Sequence, residues 1–391
     1  MRINPPLALA DKVQQIQSFH VMDIFAQAQA LEREGKSIMH LEVGEPDFAT
    51  PNEITEAGIQ ALKDNKTKYT PATGLPELKQ AISGFYLQQY SKTVDPDTII
   101  ITPGASGALL LCLSVLLDSG DKVLMTDPGY PCNKNIVAML GGETALIPVD
   151  EATNFLPSID ILNDVWDDKV KVLMLASPSN PTGSVIKPDL LIKLIDFCEQ
   201  KNIALIVDEI YLGLTYDIEV ESAVTQSDHC FVINSFSKYF CMTGWRLGWL
   251  VAPLQTIHSL DKVAQNIFLS APTVAQYAAL AAFDEDVIQQ LELRRLEFKQ
   301  RRDFLYPALE NIGFKMRSKP QGAFYLYADC SELSSDSFQL VHDLLHQAGV
   351  AVTPGLDFGE YKSNSHIRFA YTQSHQQLQQ AVDRMQQYFS V

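Results

Sequence analysis

Lys238 stands in surroundings that an exposed lysine does not need. It follows a short apolar run, it is preceded by Ser235 and Ser237 in the order Ser-Phe-Ser-Lys, and the segment GWRLGW at 244–249 supplies an arginine soon after. Hydroxyls and arginine bind anions, and a lysine placed among them has an amine available for chemistry. The stretch therefore predicts that Lys238 belongs to a reaction centre.

A serine–lysine pair is one chemistry that fits the pattern. In penicillin-recognising acyl enzymes a serine attacks and a lysine three residues later assists, as Ser235 and Lys238 could. Those enzymes also carry a Lys-Thr-Gly tripeptide, which occurs nowhere in this sequence. An acyl-serine hydrolase therefore remains only an outside alternative.

Nucleotide hydrolysis is a second chemistry, suggested by the string ALIVDE at 204–209. Such a strand could end in a magnesium-binding aspartate, as in P-loop enzymes. However, the Gly-Lys-Ser at 35–37 has Ala30 where a phosphate loop needs its first glycine. The P-loop interpretation fails.

Pyridoxal 5'-phosphate chemistry accounts for more of the unusual positions together. This coenzyme needs a lysine amine for a Schiff base, an acid facing its ring nitrogen and an anion cup for its phosphate. It also needs an aromatic ring against its face and a cation for the substrate carboxylate. Each of these groups has a candidate at a predicted strand end.

The elements that would position these groups alternate regularly. Seven short apolar runs are separated by helical segments, and they lie at 98–102, 123–126, 145–149, 170–177, 204–208, 231–235 and 248–251. Runs that are apolar throughout are typical of strands covered on both faces. We therefore predict an α/β fold whose large domain holds a mainly parallel seven-stranded sheet flanked by helices. Ligands should collect beyond the carboxyl ends of its strands.

A second, smaller α+β domain is predicted from the change of pattern near residue 284. A long charged helix at 285–309 is followed by a strand at 323–328, a helix at 336–347 and a strand at 366–371. The N-terminal segment 1–45, with a helix at 21–34, is expected to pack with this domain. The predicted boundaries are thus 1–45, 46–283 for the large domain, and 284–391 for the small one.

Composition narrows the range of partners. The 391 residues carry a formal net charge of −17, which disfavours binding to nucleic acid and to acidic membrane surfaces. No apolar stretch is long enough for a bilayer span, and the N-terminus has no secretion-signal pattern. The six cysteines form no CxxC pair, so we expect reduced thiols, no metal site and a cytoplasmic location.

Several motifs together resemble those of a known family. NPTG at 180–183, DEIY at 208–211, SFSK at 235–238 and GWRLG at 244–248 occur in the order and approximate spacing of the class I and II aminotransferases. GEPDF at 44–48, YTPATGLPEL at 69–78, GAFY at 322–325 and Arg368 extend the likeness over nearly the whole chain. The resemblance implies the fold of type I pyridoxal phosphate enzymes, similar to that of aspartate aminotransferase.

The resemblance also implies roles around the coenzyme ring. Lys238 would form the Schiff base and then move the proton between the substrate Cα and the coenzyme. Asp208 would keep the ring nitrogen protonated, although an aspartate after a strand can equally be a helix N-cap. Tyr211 and Asn180 would bind the ring oxygen, and Asn180 is also expected to contact the substrate. Tyr130 would stack on the ring.

The phosphate cup is expected at Gly104, Ala105 and Ser106, where a helix beginning near Ser106 would offer exposed amides. The family pattern adds Ser235, Ser237 and Arg246 to this cup. Many glycine-rich turns of this kind bind nothing, and Arg246 could instead form an ion pair between domains.

At the substrate end, the resemblance implies that Arg368 clamps the α-carboxylate and that Gly44 leaves room for the substrate. Tyr69 would reach the phosphate of a neighbouring subunit, so a homodimer with shared active sites is expected. Closure of the small domain would exclude water during the reaction.

The function implied is a ping-pong exchange of an amino group between an L-amino acid and a 2-oxo acid. A carbon–sulfur β-lyase on the same fold remains the alternative, because the same groups serve elimination. A non-catalytic ligand-binding relative is disfavoured, because no DNA-binding module has room ahead of the family-like region. The residues do not indicate which amino acid is the substrate.

Overall fold

In a computed structural model of the chain, residues 10, 12, 13, 16, 18–317 and 319–390 are described. The start of the predicted N-terminal segment, where a secretion signal would lie, is therefore largely outside the described residues. The helices are α1 His20–Arg33, α2 Asn52–Lys63, α3 Pro76–Tyr90, α4 Gly104–Leu116, α5 Pro131–Met139, α6 Ile159–Val165, α7 Pro188–Lys201, α8 Ala223–Gln226, α9 Ile257–Ile267, α10 Thr273–Leu280, α11 Glu285–Ile312, α12 Ser337–Asp343 and α13 His375–Phe389. The strands are β1 Met39–His40, β2 Ile99–Thr102, β3 Lys122–Asp127, β4 Glu143–Pro148, β5 Val170–Ala176, β6 Ala204–Asp208, β7 Phe231–Ser235, β8 Gly248–Val251, β9 Tyr325–Asp329, β10 Val350–Ala351, β11 Thr353–Pro354 and β12 His366–Ala370.

The predicted seven-stranded sheet is confirmed. Its strands lie in the order β2-β8-β7-β6-β5-β3-β4, and β8 alone runs against the others. Every predicted run became one of these strands, with ends shifted by no more than about two residues, the usual uncertainty of such boundaries. The reversed β8 returns the chain beside β7 after the segment that holds Lys238.

Both faces of this sheet are covered, which explains why its strands are apolar throughout. Within β2, Ile99 and Ile101 belong to one buried cluster, whereas Ile100 belongs to another on the opposite face. Leu109 of α4 and Leu260 of α9 pack in the cluster of Ile100. Helices α7 and α10 pack in the cluster of Ile99. The site is therefore built on a sheet buried between two cores.

The C-terminal part contains a separate three-stranded antiparallel sheet in the order β11-β12-β9. The N-terminal residues join this part: β1 pairs with β10 at Met39 and Val350, and the amide of Ala370 donates to the carbonyl of Leu41 at 2.7 Å. Consequently the segment that follows β1 runs directly past β12, which carries Arg368.

Two predicted helices end differently in the structure. The helix predicted at 336–347 is α12 followed by a π-helical turn at Leu344–Ala348, which ends at Gly349 with a positive φ of 66°. The charged helix predicted at 285–309 continues to Ile312, where Gly313 adopts φ 119° and closes it. In both cases a glycine that can enter the left-handed region sets the end.

No helix within the described residues has both the length and the apolar character that crossing a membrane requires. All six cysteines are free thiols, and five of them are buried.

Candidate functional site

The predicted site residues meet at a cavity of about 730 Å³ beyond the carboxyl ends of β5, β6 and β7. Those that line it are Gly44, Ala105, Ser106, Tyr130, Asn180, Asp208, Tyr211, Ser235, Ser237, Lys238, Arg246 and Arg368. Gly104 and Tyr69 are the two predicted residues that do not line it. The sheet positions most of these groups, because adjacent parallel strands end side by side.

Lys238 lies in the turn that follows β7, and its Nζ donates a hydrogen bond to the carbonyl of Gly44 at 2.7 Å. Burial lowers the pKa of the Lys238 amine to about 8. The charge of Glu45 opposes this shift, while Arg368 and Arg246 add to it. An amine with such a pKa can lose its proton near neutral pH, as a nucleophile and a proton carrier must.

Asp208 is the last residue of β6 and is 5% exposed. Burial raises the pKa of its carboxyl group to about 6, while the amide of Ile210 and the charge of Lys238 act in the opposite direction. Its Oδ1 accepts from the amide of Ile210 at 3.2 Å, so the carboxylate also serves the turn. Within the described chain no cationic side chain forms an ion pair with it. A ligand that presents a protonated nitrogen would supply that missing charge.

Arg368 and Asn180 are joined directly, because Nη1 of Arg368 donates to Oδ1 of Asn180 at 2.9 Å. The guanidinium lies 4.4 Å from the ring centre of Tyr325 and 4.8 Å from that of Phe358. Its Nε is buried and has no hydrogen-bond partner. An unpaired donor on a buried cation is costly, so this position favours an anionic ligand such as a carboxylate.

Tyr211 belongs to the same cluster, and its hydroxyl is 2.8 Å from the hydroxyl of Tyr325. Tyr325 also explains why a glycine is required at position 44, because a Cβ added there would lie 1.8 Å from the Tyr325 hydroxyl oxygen. The resemblance implies that the missing side chain of Gly44 leaves room for substrate. In the structure, the tyrosine occupies the space into which that side chain would project.

Helix α4, at the anion end, starts at Gly104, two residues before the start near Ser106 that the sequence predicts. No side chain caps this helix start, so its first amides remain available to a ligand. Gly104 has φ 71°, and a Cβ there would come 2.8 Å from Nη2 of Arg246. Gly104 thus contributes by allowing the guanidinium to approach, although it does not line the cavity itself.

Arg246 donates from Nη1 to the carbonyl of Thr243 at 3.0 Å. It forms no ion pair with a carboxylate of the described chain, so the alternative of a domain-bridging ion pair finds no support. Ser235 and Ser237 lie beside it on the cavity wall, with the amide of Ser237 donating to Oγ of Ser235 at 3.0 Å. A helix start, two serines and a guanidinium together fit a phosphate group.

The two predicted aromatic contacts, Tyr130 and Tyr69, differ in their position relative to the cavity. Tyr130 follows β3 and lines the cavity, as its predicted position against a ring requires. Tyr69 is 80% exposed and lies outside the cavity of its own chain. Its expected contact is with a second subunit and stays a prediction.

Sequence reasoning missed several cavity residues. Tyr325 ends the GAFY segment, which belongs to the resemblance, but sequence reasoning assigned it no role at the site. Phe358 and the group Phe19, Val21 and Met22 come from distant parts of the chain. No local pattern marked them, because a long-range contact brings them to the site.

Comparison with known proteins agrees with the resemblance. The family described as aminotransferase class I and II matches residues 36–385. The chain is 37% identical to (5-formylfuran-3-yl)methyl phosphate transaminase of Methanocaldococcus jannaschii, covering 98% of this chain and all of the relative. It is 36% identical to valine–pyruvate aminotransferase of Mycobacterium tuberculosis, covering 94% and 95%. The crystal structure of an aminotransferase from Mycobacterium tuberculosis superposes with a TM-score of 0.95 at 34% identity, covering 98% and 99%.

Proposed function

The chain belongs to the class I and II aminotransferases, and on that premise we propose how its residues divide the work of transamination. The enzyme has the fold of type I pyridoxal phosphate proteins. It moves an amino group between an L-amino acid and a 2-oxo acid in two half-reactions of a ping-pong cycle. Pyridoxal phosphate, when bound, supplies an aldehyde and an electron-withdrawing ring that stabilises negative charge at the substrate Cα.

The observation that carries the residue assignment is the single cavity shared by Lys238, Asp208, Arg246 and Arg368. Lys238 would hold the coenzyme through its amine, and the same amine, when free, would take the proton from the substrate Cα. Asp208 keeps a proton at the ring nitrogen. The depressed pKa of Lys238 supports its role as the proton carrier.

The remaining groups orient the two ligands. Arg246 binds the phosphate together with Ser235, Ser237 and the start of α4, from Gly104 to Ser106. Tyr211 and Asn180 would bind the ring oxygen, and Tyr130 would stack on the ring. Arg368 binds the substrate carboxylate beside Asn180, and Gly44 lies next to this site.

The assembly and setting of the enzyme are also part of the proposal. We propose a homodimer in which Tyr69 reaches the phosphate of the neighbouring subunit. Its support is that a large aromatic side chain is 80% exposed in the isolated chain. We propose further a cytoplasmic enzyme of amino acid biosynthesis, with domains at 46–283 and 284–391 and with 1–45 packed on the latter.

A half-reaction tests the proposal. Enzyme loaded with pyridoxal phosphate is mixed with L-amino acids in the absence of an oxo acid, and the coenzyme spectrum is followed. We expect conversion to the amino form with one equivalent of 2-oxo acid and no ammonia. Release of ammonia and pyruvate from a cysteine conjugate would indicate the β-lyase instead, which the comparisons do not support.

A further inference from the structure

The cavity has an apolar wall beside Arg368. The ring of Phe358 lies 4.8 Å from the Arg368 guanidinium, and Phe19, Val21 and Met22 line the same cavity. In an amino acid, the side chain and the carboxylate leave the same Cα. The side chain of a substrate whose carboxylate binds Arg368 would lie in the same cavity, within which it could contact a group that we call the apolar wall: Phe19, Val21, Met22 and Phe358.

A buried carboxylate holds this wall in place. Asp357 is 5% exposed and precedes Phe358 in the chain. Its two oxygens accept hydrogen bonds from the amides of His20 at 2.7 Å and Val21 at 2.8 Å. These amides are at the start of α1, which has no cap of its own. Both carboxylate oxygens of Asp357 are thus paired with backbone donors, and the four side chains of the wall remain apolar.

The charges around the cavity disfavour a second carboxylate on the substrate. Among the described residues, the cations that line it are Lys238, Arg246 and Arg368, and the proposed function assigns each of them to the coenzyme or the α-carboxylate. Glu45 adds a negative charge at the rim, where its Oε1 accepts from the hydroxyl of Thr243. A carboxylate held against the wall would be desolvated without a counter-charge.

We propose that this site selects L-amino acids with uncharged, apolar side chains over aspartate and glutamate. The inference rests on the proposed function and adds its substrate class, which family membership does not supply. The two relatives of nearly equal identity are named for different substrates, a furan methyl phosphate and valine.

The test is a panel of half-reactions with the loaded enzyme and leucine, methionine, phenylalanine, aspartate or glutamate. We expect kcat/KM for the best apolar amino acid to exceed that for aspartate by about 100-fold or more, because the wall leaves a carboxylate unpaired. Faster reaction of aspartate or glutamate would overturn the selection and leave the transaminase function intact. Absence of reaction with every amino acid would overturn both.

A pair of charge variants tests whether the wall is responsible. Met22 is 53% exposed, so Met22→Arg should fold and place a cation on the wall. In the Met22→Arg variant, kcat/KM for the best apolar amino acid divided by kcat/KM for aspartate should fall at least about tenfold, because the reaction with aspartate becomes faster. Met139→Arg makes the same change at a methionine that is 41% exposed and outside the cavity, and it should leave the ratio unchanged. Equal ratios in both variants and the wild type would refute the role of the wall.

Discussion

The two ends of the cavity are constructed differently. At the inner end, Asp208 and Ser235 are the last residues of adjacent strands, paired in register with Ala176 of β5 and Gly248 of β8. At the outer end, the apolar wall comes from residues 19–22 and from the segment around Phe358. A few hydrogen bonds join these parts, among them those of Asp357 and the bond from the amide of Gly129 to the carbonyl of Phe358 at 2.8 Å.

This difference separates two tasks. The inner end is fixed by a sheet buried on both faces, and a Cβ at Gly248 would lie 2.8 Å from the backbone of Gly104, so even α4 is packed tightly against it. The outer end depends on contacts that a single substitution can remove. Under the proposed function, the coenzyme residues lie in the part fixed by the sheet, and the proposed substrate selection lies in the part that can change without disturbing the sheet.

The largest effect should come from removing the charge of Asp208 at the inner end. Asp208→Asn should lower the half-reaction rate by about 10²- to 10³-fold, because the electron sink loses its fixed counter-charge. Stopped-flow absorbance of the loaded variant measures this rate.

Glu209→Gln is the matched control. Glu209 is equally buried, but its oxygens accept from the hydroxyl of Ser222 and the amide of Ala223, outside the cavity. This variant should lose about 1–3 kcal/mol of stability and little activity. Equal loss of rate in both variants would contradict the special position of Asp208.

Next in size is the effect of Arg246→Lys on coenzyme binding. A lysine cannot make a bidentate contact with phosphate, so the Kd for pyridoxal phosphate should rise about tenfold or more. Fluorescence titration of the coenzyme-free protein measures it. Arg317→Lys, at an exposed arginine outside the cavity, should leave the Kd unchanged. An unaltered Kd for the Arg246 variant would remove this residue from the phosphate site.

Gly44→Ala tests the close contact between Gly44 and Tyr325, which lies between the two ends of the cavity. The new methyl group would overlap the Tyr325 hydroxyl, so the variant should lose about 1–3 kcal/mol of stability in urea unfolding of the coenzyme-free protein. The loss should be smaller in a Tyr325→Phe background, since the closest clashing atom is then absent. Identical losses in both backgrounds would show that the Tyr325 hydroxyl does not cause the loss of stability.

The smallest effect is expected at the outer end, from Asp357→Ala. Loss of the cap on α1 should cost about 1 kcal/mol and speed hydrogen exchange of the His20 and Val21 amides. The KM for apolar substrates should rise more than kcat changes, because the wall loosens. Asp23→Ala removes an exposed acid in the first turn of the same helix and should have neither effect. Unchanged exchange in the Asp357 variant would break the proposed link between this residue and the wall.

The inner end could be predicted from sequence, and the outer end could not, for a physical reason. Strands buried on both faces are apolar throughout, so β6 and β7 were found together with the polar residues that follow them. The start of α4 was predicted to within two residues, but no spacing reveals that Gly104 enters the helix with a positive φ. The apolar wall was missed because its two parts are distant in the sequence. The hydrogen bond that joins these parts connects His20 and Asp357, which are 337 positions apart. A local sequence pattern cannot indicate a contact between residues so far apart.

The proposed transamination requires that Lys238 hold the coenzyme covalently within this cavity. Borohydride reduction of the loaded enzyme, followed by peptide mass mapping, tests it most directly. We expect the reduced coenzyme on the peptide that contains Lys238, and no reducible attachment in the Lys238→Ala variant. Attachment to a different lysine in the wild type, or retained attachment in the variant, would contradict the account.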